Sequence, residues 1–310
     1  MKLKRTKQPV TSLAYASSAP ERLGRLTRTL NGAAPDGVCR MTLDLDESVA
    51  QAMETDVRLL PLLPELLIDL WELGPSAEQV VAVLESVGLE PDSSVLDLAC
   101  GKGAVAVPLA EQLGVRVEGI DAFQPFLQAA RALATERGVS HRCRFEQGDI
   151  RDLLRQEEQY DVALLLSVGP VLGDWEQTVE GLRSLVRTGG YIVIEDGFLA
   201  NGVAHSPLAE GYTGHSETLS RLTACGDVVA REVICPTEQA RSVNERNTAL
   251  IRQRASLVRA SHPAFKQLID EYVARQERET QILGTDVLCA IWVLRRTLQS
   301  GLPVQQGDAD

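Results

Sequence analysis

The stretch Ser94 to Ala106 reads SVLDLACGKGAVA, and it leaves the chain few ways to fold. Val95, Leu96 and Leu98 make a short apolar run with one acid, Asp97, inside it. Two small residues, Ala99 and Cys100, follow, then Gly101-Lys102-Gly103 and an apolar helical stretch, Ala104 to Leu113. A strand that ends in glycines and re-enters as a helix brings bare backbone N–H groups to one point, where a ligand can approach.

The pattern continues to residue 196 as alternating strand and helix. Strands are predicted at Ser94–Leu98, Val115–Ile120, Arg142–Glu146, Asp161–Leu166 and Tyr191–Ile194. Helices are predicted at Val105–Leu113, Pro125–Arg137, Asp152–Gln156 and Trp175–Val186. Near-continuous apolar strands such as VALLL and YIVI suit a parallel sheet covered on both faces. Right-handed crossovers then make a doubly wound α/β sheet.

Within that frame, Gly101, Gly103 and Ala106 match G-x-G-x-x-A, and Asp121 ends the second strand. An acid there accepts hydrogen bonds from the two hydroxyls of a ribose. This much is the dinucleotide fingerprint, and it leaves an NAD(P)-dependent oxidoreductase open. Three details point elsewhere. Asp97 extends the motif to D-x-A-x-G-x-G. A third acid, Asp149, follows the third strand in Gln147-Gly148-Asp149-Ile150. Two further strands are expected at the far end, Val228–Ile234 and Val287–Leu294, with helices between them.

On these residues the chain resembles the class I S-adenosylmethionine-dependent methyltransferases, over about residues 75–235 and the last strand. The resemblance implies a seven-stranded, mostly parallel Rossmann-like sheet with N-terminal helices and a helical insertion before the last strand. It implies S-adenosyl-L-methionine as cofactor. Asp97, Ala99, Gly101 and Gly103 would hold its methionine part and Asp121 its ribose. Ala122 and Phe123 would flank the adenine, and Asp149, with the Ile150 backbone, would receive the adenine amino group. Ser167 and Val168 match the loop where cofactor and acceptor meet. The family's closing antiparallel hairpin would come from the last two strands; the departure is the insertion of about 50 residues between them. A module that binds this cofactor without turnover is the non-enzymatic alternative.

The acceptor side is less defined. Ser167-Val168-Gly169-Pro170 is not an N/D-P-P-Y loop, which disfavours amino methylation of DNA bases. Glu195 and Asp196 fall where α/β sheets place ligands, and either could act as a general base. His205, Tyr212 and His215 lie in the glycine-rich stretch beyond. Lys102 is expected in solvent and Cys100 in packing. In the absence of CxxC spacing or clustered histidines, no metal site or disulfide framework is expected.

The expected organisation is a tail over 1–40, an N-terminal helical cap over 41–90 and a methyltransferase domain over 91–300. The domain contains the helical insertion 237–283, and 301–310 is a frayed end. The cap's pattern starts at Asp46 and is broken by Pro61 and Pro64. A short helix, Glu65 to Leu73, follows, then a third helix capped by Ser76 with Gln79 as its capping box. Cap and insertion could together form a lid. Residues 1–40 hold eight lysines and arginines against two acids, the rest 23 against 41. An acidic body favours a small-molecule acceptor and disfavours a nucleic-acid surface. No apolar run suits a membrane span. A cytoplasmic setting is expected, with organelle targeting by the basic, serine-rich start as the alternative.

Overall fold

A computed structural model describes residues 45–72, 74, 76–154, 159–203, 209 and 211–298. His205 and the two ends, 1–40 and 301–310, lie outside the described residues. The chain opens with helices α1 (Leu45–Ala52), α2 (Leu63–Leu66) and α3 (Ala77–Ser86). Strand and helix then alternate: β1 (Ser94–Leu98), α4 (Ala106–Leu113), β2 (Arg116–Asp121), α5 (Gln124–Glu136), β3 (Cys143–Gln147), α6 (Ile150–Leu153), β4 (Tyr160–Leu166), α7 (Trp175–Leu185) and β5 (Val186–Leu199). The remainder is α8 (His215–Leu222), β6 (Val228–Ile234), α9 (Thr237–Ser261), α10 (Lys266–Ile282) and β7 (Val287–Arg295).

The seven strands form one sheet in the order β3-β2-β1-β4-β5-β7-β6. Only β7 runs against its neighbours, pairing antiparallel with both β5 and β6. Because side chains alternate along a strand, each strand feeds two cores. Val95, Leu164, Val193 and Ile291 pack with α3, α4 and α5 on one face. Leu96, Leu165, Ile194 and Trp292 pack with α7 and α8 on the other. Trp292 is fully buried, and its indole N–H donates to Glu232 at 2.6 Å.

A third core lies outside the sheet. Leu59, Leu63, Leu66, Leu67 and Leu70 of the N-terminal segment pack with Ile251, Ala255, Ile269 and Tyr272 of α9 and α10. Phe126 at the start of α5 joins them. Helices α1 and α2 and the insertion therefore share one apolar interior, although nearly 200 residues separate them in sequence, as the 185-residue span of the Arg254–Asp69 hydrogen bond shows.

Several boundaries differ from the sequence reading. The single helical pattern from Asp46 to Leu60 is split. Glu54 takes a left-handed φ of 46°, and Asp56 accepts from the Arg58 N–H to start a tighter turn over Val57–Leu62. The helix expected over Glu65 to Leu73 is α2, which begins earlier and ends at Leu66. Ser76 makes no side-chain cap; a Glu72 carboxylate oxygen accepts from the Ala77 N–H at 3.2 Å instead. The helix expected at Asp152–Gln156 is α6, moved toward Asp149, whose side chain caps it. Strand β5 is longer than expected at both ends: β7 supplies ladder partners through Leu199, and at the start Val186 pairs with Tyr160 of β4. Glu195 and Asp196 consequently lie inside the strand rather than at its close.

Candidate functional site

The carboxyl ends of β2, β1, β4 and β5 lie side by side, and Asp97, Asp121, Ser167 and Glu195 lie along them. Asp97 pairs with Gly119 of β2 and with Leu164 of β4. It is 3% exposed and has no hydrogen-bond partner among the described residues. Burial, and then the nearby Asp121, push its pKa up to about 7. After β1 the chain turns through Ala99, Gly101 and Gly103, all with left-handed φ of 58°, 53° and 73°. Gly103 has a second reason to lack a side chain: a Cβ there would lie 2.9 Å from Ala130 Cβ on α5. The glycine thus lets α5 press on the turn.

Asp121 fastens this turn. One carboxylate oxygen accepts from the Gly101 N–H at 2.8 Å and the other from the Phe123 N–H at 2.7 Å. Burial raises its pKa against the pull of these two bonds. A carboxylate has about four lone-pair positions, so each oxygen keeps one for a ribose hydroxyl. Ala122 lies at the next position, with its carbonyl accepting from the Gln147 amide at 2.9 Å.

Asp149 is placed one strand further out and is already engaged. It accepts from the Arg151 N–H at 2.9 Å and forms an ion pair with the Arg151 guanidinium at 2.5 Å. Burial would raise its pKa, but the Arg151 bonds outweigh it and hold the carboxyl below its usual range. An adenine amino group at Asp149 would have to share that carboxylate with Arg151. Ile150 is 6% exposed.

On the other side of β1, Ser167 follows β4 with a left-handed φ of 54°. Its N–H donates to the Glu195 carbonyl at 2.9 Å and its hydroxyl donates to a Glu195 carboxylate oxygen. A serine in that conformation is strained, and two bonds to one residue hold it there. Glu195 occupies the face that also bears Asp97, since Val193, two residues earlier, pairs with Leu164 as Asp97 does. Burial raises its pKa to about 7. Asp196 accepts from the Gly197 N–H at 2.6 Å, and burial raises its pKa to about 6. The Tyr212 ring lies over Gly197, where a Cβ would be 2.5 Å from the ring. Burial pushes the Tyr212 phenol up, so it keeps its proton and is no base at neutral pH. His215 is taken by Glu232, at 2.6 Å, beside Phe198 and Trp292.

Lys102 overturns the expectation of a solvated side chain. It is 7% exposed, and its ammonium donates to the carbonyls of Leu67 and Leu70, each at 2.6 Å. It also stands 5.5 Å from the centre of the Phe126 ring. Glu279 on α10 was likewise not singled out from sequence, and burial raises its pKa to about 7. No local spacing marks Lys102, because its partners come from a distant segment; Glu279 accepts from the Gln276 amide at 3.3 Å on its own helix, and what the sequence hides is its burial.

Residues 95–190 match a family model described as a methyltransferase domain. Ubiquinone biosynthesis O-methyltransferase of Rickettsia canadensis is 34% identical over 100 residues, which are 32% of this chain and 41% of that protein. Norajmaline N-methyltransferase of Rauvolfia serpentina is 26% identical over 101 residues, 33% of this chain and 35% of that protein. The chain thus spans well under half the length of these two relatives. Among solved structures, a SAM-dependent methyltransferase from Geobacter sulfurreducens, in complex with S-adenosyl-L-homocysteine, superposes with a TM-score of 0.66 at 20% identity. The match covers 76% of this chain and 97% of that one.

Proposed function

We propose that this protein, whose residues 95–190 match a family model described as a methyltransferase domain, transfers a methyl group from S-adenosylmethionine to a small-molecule acceptor. The observation that carries the reading is Asp97: a buried carboxyl without a partner, beside a glycine turn that Asp121 fastens. A buried acid without a partner is costly, and a cationic ligand relieves that cost. The residues therefore fit a cofactor with a positively charged methionine end and a ribose.

The bound cofactor would supply a methyl group already activated by its sulfonium. The chain's part is alignment and charge. Asp97 and the turn at Ala99, Gly101 and Gly103 hold the methionine end, and Asp121 holds the ribose. Ala122, Asp149 and Ile150 border the adenine. Holding two reactants in line can supply roughly 7–11 kcal/mol of a barrier. Ser167 stands where cofactor and acceptor meet, tied to Glu195. With a pKa of about 7, Glu195 is suited to take the acceptor's proton near neutral pH. The acidic composition supports a small acceptor over nucleic acid. Among the described residues no helix is long and apolar enough to cross a membrane. Five described cysteines are free thiols, which supports a cytoplasmic setting.

The test is incubation with methyl-labelled S-adenosylmethionine and a panel of small hydroxyl and amine acceptors. Label should move to one chemical class and should fall sharply in Glu195→Gln. Tight cofactor binding with no label transfer to any acceptor, or to metabolites of a cell extract, would favour a binding module over an enzyme.

A further inference from the structure

We propose that Lys102 is a positioning residue: a latch, projecting from the cofactor turn, that docks the strap of chain 67–72, with Gly74 beyond it, across the ends of β1 and β4 and so couples closure of the helical roof to cofactor binding. The inference rests on the cofactor reading above for its coupling half only.

Lys102 sits between the two glycines of the turn, so its backbone belongs to the ligand site while its side chain reaches away. A buried ammonium must find acceptors. It finds the carbonyls of Leu67 and Leu70 just past α2, the first of which also accepts from the Leu70 N–H at 3.0 Å, and the Phe126 face. The loss of hydration lowers its pKa to about 8. Gly74, just beyond, presses on Ser167: a Cβ at Gly74 would be 2.8 Å from the Ser167 hydroxyl oxygen. One short segment thus touches the cofactor turn at one end and the proposed acceptor side at the other.

The strap is also bound to the insertion. Leu67 and Leu70 share their core with Ile251, Ala255 and Tyr272, and Asp69, between them, takes three bonds from the Arg254 guanidinium at 2.6, 2.8 and 2.9 Å. Among the described contacts, Lys102 is the charged link from this roof to the turn. Movement of the turn on loading and movement of the roof are then one event. By linkage, cofactor must tighten the strap by the same factor that the latch tightens cofactor.

The test compares wild type and Lys102→Met by amide hydrogen exchange and by calorimetric titration with S-adenosylhomocysteine. In the free variant, exchange within 57–72 should quicken roughly tenfold or more, while 191–198 in the sheet core keeps its protection. Affinity should fall roughly tenfold or more. Ligand should slow exchange in 57–72 in wild type and have little effect there in the variant. A folded Lys102→Met chain with wild-type exchange in 57–72 overturns the proposal. So does faster exchange with unchanged affinity, which would make the lysine a structural pin alone. If Lys102→Met does not fold, Gly74→Ala takes its place: it lifts the strap from Ser167 without touching the lysine, and unchanged exchange and affinity there overturn the proposal. A wild-type chain that does not bind S-adenosylhomocysteine overturns the cofactor reading instead, and the exchange comparison then decides the latch by itself.

Discussion

The glycine turn after β1 and the helical roof are held by different kinds of contact. At the turn, Asp121 reaches Gly101 across 20 positions and Phe123 across two. In the roof, Lys102 reaches back 35 and 32 positions to Leu67 and Leu70, and Arg254 reaches Asp69 across 185. The turn is backbone bent by glycines and tied by one acid. The roof is apolar side chains from two distant segments, closed by a buried lysine and a partly exposed ion pair. A region of the first kind leaves its residues as a motif; one of the second kind leaves only apolar stripes that do not say what they face.

If the roof is a separate core, it should yield separately. Leu66 is fully buried in it, and Leu66→Ala should cost about 2–5 kcal/mol. Hydrogen exchange should report the loss in α2, α9 and α10 and spare β1 and β4. A uniform loss over sheet and roof would erase the distinction.

Asp121→Ala should weaken cofactor binding by about 1.5–3 kcal/mol for the charge-assisted contact alone. The loss should run beyond that, because the N–H groups of Gly101 and Phe123 lose their acceptor as well. Titration with S-adenosylhomocysteine measures this, and unchanged affinity would remove Asp121 from the ribose site.

The pH dependence follows from the acids raised by burial. Asp97, Glu195 and Glu279 each have a folded pKa of about 7, above the usual carboxyl value. The folded chain then holds more protons than the unfolded one. The stability they contribute is complete below the unfolded pKa, near about 4, and is lost as pH rises through 7. The cofactor's cationic end favours ionised Asp97, so its affinity should rise with pH below 7, by at most about tenfold per unit. Asp97→Asn should flatten that rise and make the ligand-free chain more stable at pH 8. A wild-type affinity that is flat between pH 6 and 8 would take Asp97 out of contact with the cofactor's charge.

The smallest effect belongs to the ion pair. Arg254 and Asp69 are both partly exposed, and a double-mutant cycle on chemical denaturation should assign them about 0.2–1 kcal/mol. A larger coupling would mean that the roof relies on charge more than on its apolar core.

Much of the turn was legible in sequence, because glycines at 101 and 103 and acids at 97 and 121 are demanded by local geometry. The doubly wound sheet was legible in the same alternation, and the closing antiparallel pair of β6 and β7 is as the family resemblance implied; the strand order itself came from the structure. Lys102 was misread for a physical reason: its partners are two backbone carbonyls, which carry no residue signature, and a lysine beside glycines reads as a surface turn. The length of β5 was misread because Glu195, Asp196 and Gly197 look like a strand's end. It is β7, nearly a hundred residues later, that supplies their ladder partners, Ile291, Ala290 and Cys289. Asp149 is a mixed case, found at the expected strand end yet also capping α6 and paired with Arg151.

The most direct measurement is calorimetric titration of the wild-type chain with S-adenosylhomocysteine, with NAD titrated in parallel and Asp121→Ala as control. A cofactor site built on Asp97, the glycine turn and Asp121 predicts saturable one-to-one binding of S-adenosylhomocysteine, weakened in the variant, and no binding of NAD. Binding of NAD with none of S-adenosylhomocysteine would contradict it.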